Sequence, residues 1–163
     1  MSGVAVDVNT LHDQIVEASA AARVLRTLKA ATKNAALHHM ADALVRRTDE
    51  IMRENALDVA DAKAAHRPGA MVDRLLLDED RILAMARGVR DVAALADPIG
   101  AIESGYRLPN GLEVVRKRVP LGVVAVIYEG RPNVTSDAAA LCLKSGNAVV
   151  LRGSSIAARS NGI

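Results

Sequence analysis

Two apolar runs joined by a helical pattern constrain the fold of this chain most. "LGVVAVIYE", Leu121 to Glu129, is almost continuously apolar, and "AVVLR", Ala148 to Arg152, repeats that character. A strand that alternates apolar and polar residues buries one face. One that stays apolar throughout is expected to have both faces covered, as in a parallel sheet flanked by helices. Between the two runs, Pro132 or Asn133 begins a helix, Asp137 falls in its early turns and Gly146 stops it. Gly153, Ser154 and Ser155 then open another helix. This strand–helix–strand–helix order with short joints predicts a parallel α/β unit.

The chain before it has a different period. Leu11, Ile15, Ala18, Ala22 and Leu25 recur at helical steps. Thr32 is placed to cap the next helix, whose stripe is Leu37, Met40, Ala41, Leu44 and Val45. A third helix, from about Asp49 to Ala65, carries Ile51, Met52, Val59 and Ala62. "HRPGAM", His66 to Met71, breaks the pattern. Asp78 caps a further helix with Ile82, Met85, Val89, Val92 and Leu95 on its apolar side. Beyond Pro98, two strand-like segments flank Pro109, Asn110 and Gly111, a hairpin signal. The valines of the second arm bracket Arg116, Lys117 and Arg118, cations that suit a solvent face or a protected sheet edge better than an anion site.

Composition narrows the function. The chain has 163 residues, about one domain. With no Phe, no Trp and two Tyr, its core must be built from Ala, Val, Leu, Ile and Met. A net charge of +2, with both signs interleaved and base-stacking aromatics nearly absent, argues against a nucleic-acid partner. No apolar run approaches the roughly 20 residues of a membrane span. The start, "MSGVAVDVNTLHDQ", has no secretory pattern. A single cysteine forms no internal disulfide, so a cytoplasmic setting is expected.

Ligands of parallel α/β units collect at the carboxyl ends of the strands. Two loops qualify here, Tyr128 to Asn133 and Arg152 to Ser155. The second offers a cation, backbone N–H groups and two hydroxyls, a chemistry that suits phosphate and equally an ordinary capped turn. It is not a P-loop, and it lacks G-x-G-x-x-G. Cys142 sits between leucines, and Lys144 lies about 200° around the helix from it, so a buried small hydrophobe is expected there. His38 and His39, with only Asp42 a turn away, make no zinc site.

"RVPLGVVAVIYEGRPNVTSDAAALCLKSGNAVVLRGSS", Arg118 to Ser155, resembles the gamma-glutamyl phosphate reductases of the aldehyde dehydrogenase superfamily. The likeness continues upstream through "NALDVADAKAA", "AMVDRLLLDEDRI" and "VRDVAALADPIG". "YEGRPNVT", "LKSGNAV" and "LRG" carry it most specifically. Other aldehyde dehydrogenases usually have Trp-Asn where this chain has Gly130-Arg131, which argues against a relative acting on a free semialdehyde.

The resemblance implies an aldehyde-dehydrogenase-like, Rossmann-type cofactor domain. It implies NADPH-dependent reduction of L-glutamyl 5-phosphate to L-glutamate 5-semialdehyde, in proline biosynthesis. A cysteine thiolate of the family displaces phosphate and forms a thioester that accepts hydride. By this likeness Tyr128, Glu129 and Gly130 border the nicotinamide, and Arg152, Gly153, Ser154 and Ser155 lie beside the adenosine ribose. Ser155 stands where NAD-using relatives often have Glu. A carboxylate would repel a 2′-phosphate that Arg plus Ser tolerates, so NADP(H) is the expected cofactor. Asn133 is the candidate oxyanion donor, while an ungapped reading from Pro120 puts that role at Arg131. Ser136 departs from the apolar residue expected after "NVT".

On this basis residues 1–98 form the helical N-terminal part of the cofactor domain, and 99–119 a hairpin of the oligomerisation type. Residues 120–163 begin the NADP-binding core. The family's catalytic cysteine lies in a downstream domain, so these residues alone are expected to be inactive, within a longer enzyme that forms homo-oligomers. The alternative is a truncated non-catalytic module for dinucleotide binding or oligomerisation.

Overall fold

A computed structural model describes residues 8–163. Five helices come first: α1 (Val8–Leu25), α2 (Ala30–Arg46), α3 (Thr48–Ala64), α4 (Gly69–Leu75) and α5 (Glu79–Ala94). Strands β1 (Ile102–Arg107) and β2 (Glu113–Lys117) follow, then β3 (Val123–Ile127), α6 (Asn133–Lys144) and β4 (Ala148–Arg152). A 3-10 turn, Ser155–Ala157, leads into a short α7 (Ala158–Asn161).

The aromatic-poor composition is used as expected, with small side chains drawing helices together. Leu37 and Ala41 of α2, Ala86, Val89 and Ala93 of α5, and Ala140 of α6 form one buried cluster. A second cluster joins Ile51, Leu77, Ile82 and Met85, and a third joins Val59, Ala62, Leu75 and Ala157. Removing that apolar area from water is the main favourable term for the fold.

Helix ends explain where the sequence reading was right and where it was not. Asp78 caps α5 as expected, its carboxylate accepting the Arg81 N–H at 2.8 Å. Thr32 does not cap α2. Its own N–H already bonds the Lys29 carbonyl at 3.0 Å, so it lies one turn inside, and Lys29 makes no side-chain cap. Gly146 ends α6 with φ +71°, the Gly146 and Asn147 N–H groups bonding the Leu143 and Cys142 carbonyls. His66 ends α3 in the same left-handed way at φ 51°, with its own N–H and that of Arg67 bonding Lys63 and Ala62. The break at His66 to Pro68 is therefore short, and α4, which the pattern did not announce, begins immediately after it.

The hairpin pairs β1 with β2 antiparallel, Arg107 opposite Glu113. Its turn runs through Pro109 and Asn110, with Gly111 following at φ +87° and donating its N–H to the Leu108 carbonyl. β3 and β4 pair in parallel, Val123 with Ala148 through Ile127 with Arg152. α1 and α6 both pack on β4.

Two apolar expectations fail. β3 alternates between exposed and half-buried instead of being covered on both faces, and Leu121 and Ile127 are 86% and 80% exposed. Of the described helices, α1 packs on β3. In α1, Ala22 is buried but Leu11 and Ile15 are exposed, as is Met52 in α3. Their helical spacing is real, yet no described element covers that part of the stripe. Leu95 is exposed too, because α5 has ended and Leu95 is its cap residue.

Candidate functional site

The two sequence-predicted loops meet at the carboxyl ends of β3 and β4. The parallel register puts Ile127 beside Arg152, and the Tyr128 N–H continues the ladder onto the Arg152 carbonyl at 3.1 Å. The Tyr128 hydroxyl donates to Thr135 Oγ1 at 2.6 Å, and Thr135 donates in turn to Asn161 Oδ1 at 2.9 Å. One hydrogen-bond chain thus ties the end of β3, the start of α6 and α7.

Both loop glycines are closely surrounded by side chains. A Cβ on Gly153 would press on the Asn161 side-chain amide and sit 3.2 Å from the Tyr128 hydroxyl, and one on Gly130 would sit 2.9 Å from Ile156 Cγ2, so those side chains would have to shift. Gly153, Ser154 and Ser155 do not open an α-helix directly. Ser155 starts the 3-10 turn, and Ser154 caps it by accepting the Ile156 N–H. Asp58 of α3 holds the following segment, accepting from the Ser160 N–H at 2.9 Å and the Ser160 hydroxyl at 2.7 Å.

This end of the sheet presents one cation and one carboxylate to solvent. Arg152 is exposed, donates to the neighbouring Gly153 carbonyl at 2.8 Å and forms no ion pair among the described residues. Ser155 is exposed and lines a cleft with Asp58, Asp61, Arg67 and Arg159, while Glu129 is exposed on the β3 loop. An open guanidinium and a hydroxyl at a parallel strand end can hold a phosphate.

Arg131 and Asn133 lie on a different surface. The Arg131 N–H bonds the Glu129 carbonyl at 2.6 Å in a tight three-residue turn. Both side chains line a cleft that they share with Asp73, Arg74, Arg81 and Asp137. The Asn133 amide donates to Asp137 Oδ2 at 3.0 Å. Ser136, the local departure in the sequence, is buried and donates to the Asn133 carbonyl, closing the first turn of α6.

Cys142 is buried, and burial alone pushes its thiol above the usual range. Lys144 is directed elsewhere, to Asn34 Oδ1 at 2.6 Å and the Ala93 carbonyl at 2.8 Å. A protonated thiol without a cation is a poor nucleophile, so Cys142 is structural. His38 and His39 are exposed, and the described residues contain no metal-binding cluster of His, Cys, Asp or Glu.

Sequence reasoning missed a buried ionic network. Lys33 is 1% exposed, donates to the Lys144 carbonyl at 3.0 Å and pairs with Asp97 at 2.6 Å. The signal was present, since Lys33 precedes buried Leu37 and Ala41 by one and two helical turns, and Lys144 follows buried Ser136 and Ala140 likewise. Burial raises the Asp97 pKa, but the Lys33 and Ile99 hydrogen bonds and the charges of both lysines lower it further, leaving the carboxyl below its ordinary range.

A parallel strand pair with helices packed on it and its two loops tied together at the carboxyl ends defines an α/β arrangement. No family model matches it. Gamma-glutamyl phosphate reductases of Thermoanaerobacter sp. strain X514 and Thermoanaerobacter pseudethanolicus are each 53% identical to it over 145 residues, 89% of this chain and 35% of theirs. The crystal structure of gamma-glutamyl phosphate reductase from Thermotoga maritima matches with a TM-score of 0.90 at 38% identity, covering 93% of this chain and 37% of that one. That from Saccharomyces cerevisiae matches with a TM-score of 0.86 at 34% identity, covering 90% and 38%. The chain is a relative of the gamma-glutamyl phosphate reductases, matching an N-terminal part and spanning about a third of their length. Among the described residues, no helix is long and apolar enough to cross a membrane.

Proposed function

We propose that the chain forms the cofactor-facing part of a longer cytoplasmic enzyme that reduces L-glutamyl 5-phosphate to L-glutamate 5-semialdehyde with NADPH, in proline biosynthesis. The observation that carries the reading is the crossing of the β3 and β4 loops, where the Tyr128–Thr135–Asn161 chain fixes the strand ends and Arg152 is exposed without an ion pair among the described residues. In a Rossmann-type arrangement the dinucleotide lies across such strand ends.

The residues fit NADP better than NAD. Arg152 and the Ser155 hydroxyl supply a charge and a donor for a 2′-phosphate, and Ser155 takes the place of the carboxylate that would repel it. NADPH supplies the hydride when bound. The Tyr128–Gly130 backbone borders its nicotinamide end, and the Tyr128–Thr135–Asn161 chain fixes that backbone. Asn133 or Arg131 directs a donor at the substrate carbonyl oxygen. The nucleophilic thiolate comes from outside these 163 residues, because Cys142 is buried in α6. The hairpin of residues 99–119 serves homo-oligomerisation, and residues 1–98 support the cofactor core.

The test is phosphate-dependent reduction of NADP+ with L-glutamate 5-semialdehyde, by protein purified from its native source and by a Cys142→Ala variant. Activity at an intact mass well above 17.2 kDa, retained within about twofold in the variant, is expected. Turnover without phosphate, or loss of turnover in a folded Cys142→Ala variant, would overturn the reading.

A further inference from the structure

We infer that the cleft bounded by α4, α5 and the start of α6 takes the α-amino-acid end of the substrate. The inference rests on the reductase reading above and assigns residues to a part of the substrate that reading leaves unplaced. The cleft has a volume of about 390 Å³, within the size range of small-ligand pockets. Leu77 and Met85 give it an apolar wall for methylene groups, and its charged lining consists of Arg74, Arg81, Arg131, Asp73 and Asp137.

The charges are not equivalent. Arg81 is engaged internally, with Nη2 on Asp73 Oδ1 at 2.8 Å and Nη1 on the Leu76 carbonyl at 2.8 Å. That pair cancels. Arg74 and Arg131 are exposed, and among the described residues neither guanidinium makes a hydrogen bond or ion pair. Asp137 gives one oxygen to the Asn133 amide at 3.0 Å. Its other oxygen faces Gly88 of α5, where even a Cβ would stand 3.9 Å away. The cleft therefore presents two open cations and one half-engaged carboxylate.

That set is complementary to a carboxylate and an ammonium held on one carbon. The guanidiniums take the carboxylate in fork geometry, and Asp137 takes the ammonium. A simple anion would satisfy the arginines and leave Asp137 as a repulsive neighbour, so the same carboxylate rejects ligands that lack the amine. With Arg131 on the carboxylate, Asn133 is left as the carbonyl donor, and it lines this same cleft, which sets the head group and the reacting acyl end on one continuous surface.

The test is calorimetric binding of L-glutamate, glutarate and inorganic phosphate to the protein, its Arg74→Gln variant and its Asp137→Asn variant. NADP+ and NAD+ are titrated into the same samples. L-Glutamate is expected to bind at least about tenfold tighter than glutarate or phosphate. Arg74→Gln should weaken it by about tenfold, and Asp137→Asn should erase the preference over glutarate. Equal binding of L-glutamate and glutarate, or no effect of Arg74→Gln, a change at an exposed side chain that leaves the fold intact, overturns the assignment. If NADP+ is still preferred over NAD+, the cleft assignment alone has failed. If that preference is missing, the reductase reading has failed, whatever the amino acid does.

Discussion

The junction of α2, α5 and α6 and the outer face of β3 are built from the same kinds of side chain but treated oppositely. At the junction Leu37, Ala41, Val89 and Ala140 are fully buried, and even two lysines are sealed in with every buried polar side-chain atom bonded among the described residues. On the outer side Leu121 and Ile127 are more than three-quarters exposed. An apolar residue marks a surface destined for burial without saying what will bury it. Where the chain spans only about a third of its relatives, the two meanings separate.

The sharpest way to break this comparison is a matched pair of truncations. Leu37→Ala should cost about 3 kcal/mol, the transfer and cavity terms of a fully buried leucine. Ile127→Ala should change stability by less than about 0.5 kcal/mol. Equal shifts of the urea midpoint would show that the outer face of β3 is buried in solution.

Asp97→Asn tests the ionic half of the junction. Removing the carboxylate that pairs with buried Lys33 should cost about 3 kcal/mol near neutral pH. The sign with pH follows from the lowered Asp97 pKa. A depressed carboxyl stabilises the fold above its unfolded value and loses that contribution as pH falls through the folded one. The gap between wild type and variant should therefore be constant from pH 5 to 8 and close only below the ordinary aspartate value of 3.8. A gap that closes near pH 6 would assign the stabilisation to another group.

Smaller effects separate the two helix starts. Asp78→Ala should cost about 1 kcal/mol, because the Arg81 N–H loses its cap. Thr32→Ala, one turn inside α2, should be within about 0.5 kcal/mol of wild type in the same melts. A larger loss at Thr32 would restore it as a cap.

These elements also show how far the sequence could be read. The hairpin, β3, α6, β4 and the Asp78 cap were legible, because each rests on a local pattern with a physical cause. Two helix ends of one geometry were not equally visible: Gly146 announces a left-handed stop, whereas His66 takes the same conformation with no such signal. The meeting of the two loops at the strand ends was legible because parallel pairing of β3 and β4 brings their carboxyl ends together. The Lys33–Asp97–Lys144 network and the arginine cleft were missed. Lys33 and Asp97 are separated in sequence by three helices, and Arg74 and Arg131 by α5 and three strands, so only packing brings them together.

The most direct test of the proposed function is the cofactor preference of the native protein and its Arg152→Gln variant, measured as kcat/KM for NADP+ and NAD+ in the phosphate-dependent oxidation of L-glutamate 5-semialdehyde. Removing a charge-assisted bond to a 2′-phosphate should lower the NADP+ value by about tenfold or more and leave that for NAD+ nearly unchanged. Equal losses with both cofactors, or none with either, would contradict a dinucleotide phosphate site at the end of β4.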